Sequence, residues 1–238
     1  MPVRFTLVLL LPMLAACNSL NLKQVTEALG GTGTLSEAEI TAGLKEALAT
    51  GTERAVTRIG RTDGFWRNPA LRIPLPEKLR KAESALRQLG QGDKVDAFHL
   101  SLNRAAEQAV PEAAAIFGAA IRDMTLSDAR GILRGPDDAA TVYFRDKTST
   151  ALSAKFRPRV AQATDAVGVT RRYKEMLGKL GTLLPGADLS AQDIDAYVTD
   201  RALAALFTTL AEEEKRIREE PLARTTELLR RVFGGERG

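Results

Sequence analysis

The chain has 238 residues, 44% hydrophobic and 27% charged, with a formal net charge of +4 at pH 7. This is the balance of a folded domain with its own core, long enough for one large helical unit or two small ones. A pI of about 9.3 invites a nucleic-acid reading, but lysines and arginines alternate with acids throughout and no basic stripe with interleaved aromatics occurs, so the electrostatic footprint of a DNA or RNA binder is missing.

In chain order, residues 1–16 carry one charge, Arg4, then the apolar run FTLVLLLPML, then Ala15 and Ala16. That is the layout of a secretory signal peptide. The run is too short to cross a bilayer core, which takes about 20 apolar residues, and polar sequence begins at Asn18. Cleavage after the two alanines leaves Cys17, the only cysteine, as the new N-terminus. The motif LAAC resembles the lipobox of bacterial lipoproteins, which implies a diacylglycerol thioether on Cys17 and a further acyl chain, such as palmitate, on its amine. Two chains suffice for stable anchoring at about 0.8 kcal/mol per buried CH₂. A single thiol forms no intrachain disulfide, and capping it with lipid removes the liability of a free thiol in an exported chain. By analogy with lipoprotein sorting, Asn18 rather than an aspartate after the cysteine places the protein on the periplasmic side of the outer membrane. The mature chain is then 222 residues, 238 less the 16 of the leader, and loses Arg4 but no acid, for a net charge of +3.

Residues 17–34 end in GGTGT and read as a lipidated N-terminus and tether. The domain, residues 35–238, opens with Ser36 and Glu39 spaced as a capping box, followed by apolar residues at helical spacing to about Arg61. The segment TDGFWRNPALRIPLPEKL holds three prolines and the only tryptophan, Trp66, and is predicted as a loop. Pro76 starts a helix to about Leu89. Asp93 is the predicted N-cap of the next helix, whose apolar face runs Val95, Phe98, Leu102, Ala105/Ala106, Ala109. Further helices are predicted from Pro111 to Met124, from Thr125 (paired with Asp128) to Gly135, and from Asp137 until Pro158 interrupts it. Shorter helices follow to about Leu180. Ser190 with Asp193 opens the longest candidate, whose ALAALF stretch is apolar all round and whose AEEEKRIREE end should project into water. Pro221 leads into a terminal helix, LARTTELLRRVF. No stretch alternates with period two, so the fold class is all-α: a single irregular helical bundle with a proline-rich loop, preceded by a signal peptide and flexible tether.

Five segments in order, LSEAEITAGLKEAL, NPALRIPLPEKL, LNRAAEQAVPEA, GPDDAATVYF and AEEEKRIREEPLARTTELLRRVFG, together resemble a family of exported proteobacterial proteins catalogued only as a domain of unknown function. The resemblance spans Leu35 to Gly234. It implies a helical periplasmic protein and brings no catalytic residues.

Candidate chemistry is sparse. His99, the only histidine, lies at the margin of an apolar face with Asp96 and Asn103 a turn away. It reads as a helix-flank histidine, since a zinc site wants three or four strong ligands. GxSxG, GxGxxG, HExxH and phosphate-loop motifs do not occur, and an acylated Cys17 is no nucleophile. No catalytic residue, metal or cofactor is therefore assigned. Asp137 and Asp138 read as helix-start carboxylates, and Glu212 to Glu214 as a solvated face. The loop GFWRNPALRIPLP sets Phe65, Trp66, Leu71, Ile73 and Leu75 beside Arg67 and Arg72. Either these side chains latch the loop onto the bundle, or Phe65, Trp66, Arg67, Arg72 and Ile73 hold an amphiphile with its anionic head on arginine. The expectation is a non-enzymatic, outer-membrane-anchored binding module for an amphiphilic ligand or envelope protein. The alternative is an envelope hydrolase acting on glycan or lipid through acidic residues.

Overall fold

The computed structural model describes residues 36–166 and 193–220, with isolated positions such as Gly168, Glu175, Ala223 and Arg230 beyond them. The segment expected to be a signal peptide, Cys17 and the expected tether lie outside the described residues, as do most of the short helices expected between Pro158 and Leu180 beyond Ala166, Ser190 and most of the expected terminal helix.

Within the described residues the fold is all-α, seven α-helices and no strand. They are α1 (Glu37–Gly60), α2 (Arg80–Gln88), α3 (Gly92–Ala109), α4 (Ala113–Asp123), α5 (Leu126–Arg134), α6 (Ala139–Ala166) and α7 (Ile194–Glu219), with 3₁₀ turns at Glu77–Leu79 and Val110–Glu112. Capping sets two of the starts. Ser36 and Glu39 form a reciprocal box at α1, and Thr125 and Asp128 form another at α5, so two orphan amides are satisfied at each end. Thr125 holds the Asp128 carboxyl below the usual range by donating to it from its hydroxyl and its backbone N–H.

Three sequence expectations are corrected. The start of α3 lies at Gly92 with Gln91 as the cap position, so Asp93 sits in the first turn and complements the dipole instead of capping. Pro158 does not interrupt its helix: α6 runs 28 residues straight past it and, not α7 with 26, is the longest. The flanking Phe156 and Val160 are fully buried, and their packing outweighs the lost backbone bond while the proline itself faces solvent. The charged end of α7 does not project into water either. Glu213, Glu214 and Ile217 are buried there, at 1%, 7% and 4% exposure.

Helices α6 and α7 pack against each other at the centre; α3 lies against both, α1 against α4, α5 and α7, and α2 against α3. Phe98, Phe117, Phe144 and Phe156 fill the core, with the Phe117 and Phe144 rings edge-on at 5.0 Å. Of the ALAALF stretch, Ala202, Ala205, Leu206 and Phe207 are buried.

Glu214 explains why the end of α7 is drawn inward. Its carboxylate accepts the backbone N–H groups of Ala140 and Thr141 and the Thr141 hydroxyl, each at 2.9 Å. It thus caps the start of α6 from a helix more than seventy residues away, while Arg218 donates to the same carboxylate at 2.8 Å and to the Ile132 carbonyl at 3.0 Å. Asp137 and Asp138, read from sequence as the helix-start acids, are exposed. Glu213 is held by Arg58 and Arg216.

Candidate functional site: the Trp66–Arg72 surface

Helix α1 ends at Gly60 because the chain must turn at once. Asp63 has φ 67°, a left-handed conformation that aspartate tolerates better than most residues. The next residue has to be glycine, since a Cβ on Gly64 would lie 2.4 Å from the Ile59 carbonyl oxygen. Residues 65–72 then coil through short turns, with the Arg72 N–H on the Asn68 carbonyl at 2.8 Å and the Ala70 N–H on the Asn68 side chain at 3.1 Å. Prolines 69, 74 and 76 keep the segment out of a continuous helix.

The loop rests on a polar edge of α3 formed at spacings of four residues by His99, Asn103 and Glu107. Glu107, 3% exposed, accepts the N–H groups of Phe65 at 3.0 Å and Trp66 at 3.2 Å through one oxygen. Its other oxygen takes Arg104 at 2.6 Å, and Arg104 reaches on to Asp63 at 2.6 Å. Burial works against the Arg104 charge, but hydrogen bonds to Glu107 and Asp63 outweigh it and raise its pKa. Asn103, fully buried, accepts the Ile73 N–H at 2.8 Å and donates to the Ile73 carbonyl at 3.1 Å. His99 Nε2 also sits 2.7 Å from that carbonyl, which as a pure acceptor makes Nε2 the protonated nitrogen. Burial lowers the His99 pKa, opposed in part by this hydrogen bond.

Asp96, His99 and Asn103 therefore do not form the surface cluster that their spacing suggests. Asn103 is in the core, His99 is half-buried against the loop, and Asp96 faces water in an ion pair with Arg87 at 2.5 Å, which lowers its carboxyl pKa. Among the described residues no three His, Cys, Asp or Glu side chains come together as a metal site.

The five residues singled out in the loop divide by direction. Phe65 and Ile73 are 0% and 1% exposed and point into the core with Leu71 and Leu75, so they cannot touch a surface ligand. Trp66, Arg67 and Arg72 stay at the surface, where with Pro69 they line an open depression. The Trp66 ring meets His99 edge-on at 5.2 Å, and the Arg72 guanidinium lies 3.5 Å above the Trp66 ring centroid. Arg67 is tied to Asp63 at 3.3 Å. Sequence reasoning missed Glu107 and Arg104. The signal was an acid four residues after Asn103 on the helix that must face a proline-rich loop.

A family model described as "Protein of unknown function (DUF4197)" matches residues 34–234. The chain belongs to that family. The match covers the span over which the five quoted segments carry the resemblance, including the whole loop and every helix described above. Neither the curated proteins nor the solved structures contain a match. Family membership thus brings no activity to the site, and its chemistry has to be argued from these residues. No described helix is long and apolar enough to cross a membrane.

Proposed function

We propose that this DUF4197 chain is a periplasmic binding module, anchored in the outer membrane through lipidated Cys17, whose Trp66, Arg67 and Arg72 surface holds an amphiphile with an anionic head. One observation carries the reading: an exposed guanidinium stacked at 3.5 Å on a half-buried indole, on a loop whose underside is fixed by buried Glu107 and Asn103. Stacking keeps the Arg72 N–H donors in a plane free for a carboxylate or phosphate, and the fixed loop has already lost the entropy that binding would otherwise cost. Trp66 and Pro69 offer apolar contact beside it. A lipid anchor would hold this surface close to the bilayer that supplies such ligands.

The test is native mass spectrometry of the full chain purified from envelopes, together with metabolic labelling by a fatty-acid analogue. Label on the wild type, none on Cys17→Ser, and an anionic amphiphile bound to wild type but not to Arg72→Ala support the reading. A clean spectrum that envelope lipids leave unchanged removes the ligand, and an unlabelled full-length cytosolic protein removes the anchor.

A further inference from the structure

On the other side of Arg72 lies a second groove, between loop residues 70–74 and helix α7, with a volume of about 150 Å³. Among the described residues its polar side chains are Arg72 from the loop and Arg201 and Thr208 from the helix, and no carboxylate lines it. Both arginines are exposed, and among the described residues neither forms an ion pair with an acid. Each is instead oriented by a ring: Arg72 over Trp66, and Arg201 at 5.3 Å from the centroid of Tyr197. The two walls are tied together. The Tyr197 hydroxyl donates to the Pro74 carbonyl at 2.9 Å, while Leu71 and Ile73 anchor the loop side in the core. Two guanidiniums on opposite walls of one groove, with the Thr208 side chain in the same lining and no carboxylate among its described lining residues, form a receptor for a tetrahedral oxyanion.

We infer that the groove between residues 70–74 and α7 is a phosphate subsite, with Arg72 and Arg201 gripping the oxyanion from opposite walls. The inference rests on the Trp66–Arg72 surface being a binding surface and adds Arg201 and Thr208, which that reading does not use. The phosphate belongs either to a lipid head group, whose apolar part then lies along Trp66 and Pro69, or to the free ion.

The experiment uses the full chain in neutral detergent, with inorganic phosphate and dihexanoyl-phosphatidylglycerol as probes. Trp66, the only tryptophan, reports through its emission, because an anion that engages Arg72 alters the cation above the indole. Expected is saturable binding of at least one probe, weakened about tenfold by Arg201→Gln, the loss of one charge-assisted contact, and partly restored by Arg201→Lys. Binding of the phospholipid identifies the head group as the source, and binding of phosphate alone keeps the subsite but removes the amphiphile. If Arg201→Gln binds as tightly as wild type while Arg72→Gln loses binding, the subsite is wrong and the Trp66–Arg72 surface stands. If neither probe binds the wild type, both fall.

Discussion

The Glu107 carboxylate accepts the backbone N–H of Phe65 at 3.0 Å, and through that contact a buried charge on α3 holds a loop 42 residues earlier in the chain. The same oxygen takes Trp66, and Arg104 supplies the countercharge. Removing the carboxylate leaves two amides and a guanidinium without it, which is more costly than the loss of a surface ion pair. Glu107→Ala should therefore destabilise the protein by about 3 kcal/mol, measured by urea unfolding, and shift Trp66 emission to the red as the loop lifts. Arg67→Ala, which removes only an exposed pair with Asp63, should change stability by less than about 0.5 kcal/mol.

Glu214 is the corresponding clamp at the other end of the bundle. It satisfies the first amides of α6 while its own charge is met by Arg218. Glu214→Ala should cost about 2–4 kcal/mol, combining a lost cap with the loss of the carboxylate that faces the buried Arg218 guanidinium. Asp138→Ala, at an exposed position of the same helix start, should cost less than about 1 kcal/mol. Thermal unfolding of the two variants side by side distinguishes them, and equal losses would mean that α6 is not capped from α7.

Local signals were readable and long-range ones were not. The boxes at Ser36/Glu39 and Thr125/Asp128 and the apolar spacing of Val95, Phe98 and Leu102 lie within a few residues of what they specify, and the structure bears them out. The run Glu212 to Glu214 reads as a solvated face because nothing near it in sequence reveals that the Ala140 and Thr141 amides, more than seventy residues away, need an acceptor. The same holds for Glu107. In the loop, residue types signalled burial or binding without saying which; the structure sends Phe65 and Ile73 inward and leaves Trp66 and Arg72 outside. Arg201 and Tyr197 carried no signal, since their relation to Arg72 and Pro74 exists only once α7 packs beside the loop.

His99 links the loop to pH. Its folded pKa is lowered, first by burial and also by the nearby Arg72 charge, although the Ile73 carbonyl, Glu83 and Asp96 pull the other way. The unfolded chain therefore binds the proton more readily than the folded one, so stability is full above the ordinary histidine pKa of about 6.5 and falls as pH drops below it. Urea midpoints should decline as pH falls below about 6.5, above the acid range in which the lowered carboxyls of Asp96 and Asp128 titrate. His99→Gln should flatten the slope in that window while lowering the midpoint at neutral pH. An unchanged slope would assign the acid lability to another group.

Pro158 offers a test of how α6 tolerates a residue that breaks most helices. It lies inside the 28-residue helix, on the solvent side, between buried Phe156 and Val160. A proline in a helix interior lacks the N–H of one backbone bond and crowds the carbonyl four residues earlier, here that of Ala154, at about 3 kcal/mol relative to alanine. Part of that is offset because proline also restricts the unfolded chain, by about 1 kcal/mol. The side chain makes no core contact to lose, so Pro158→Ala should stabilise the protein by about 1–2 kcal/mol net, seen as a higher urea midpoint with an unchanged denaturant slope. A loss of stability would show instead that the proline itself is needed to seat Phe156 and Val160 against the rest of the bundle.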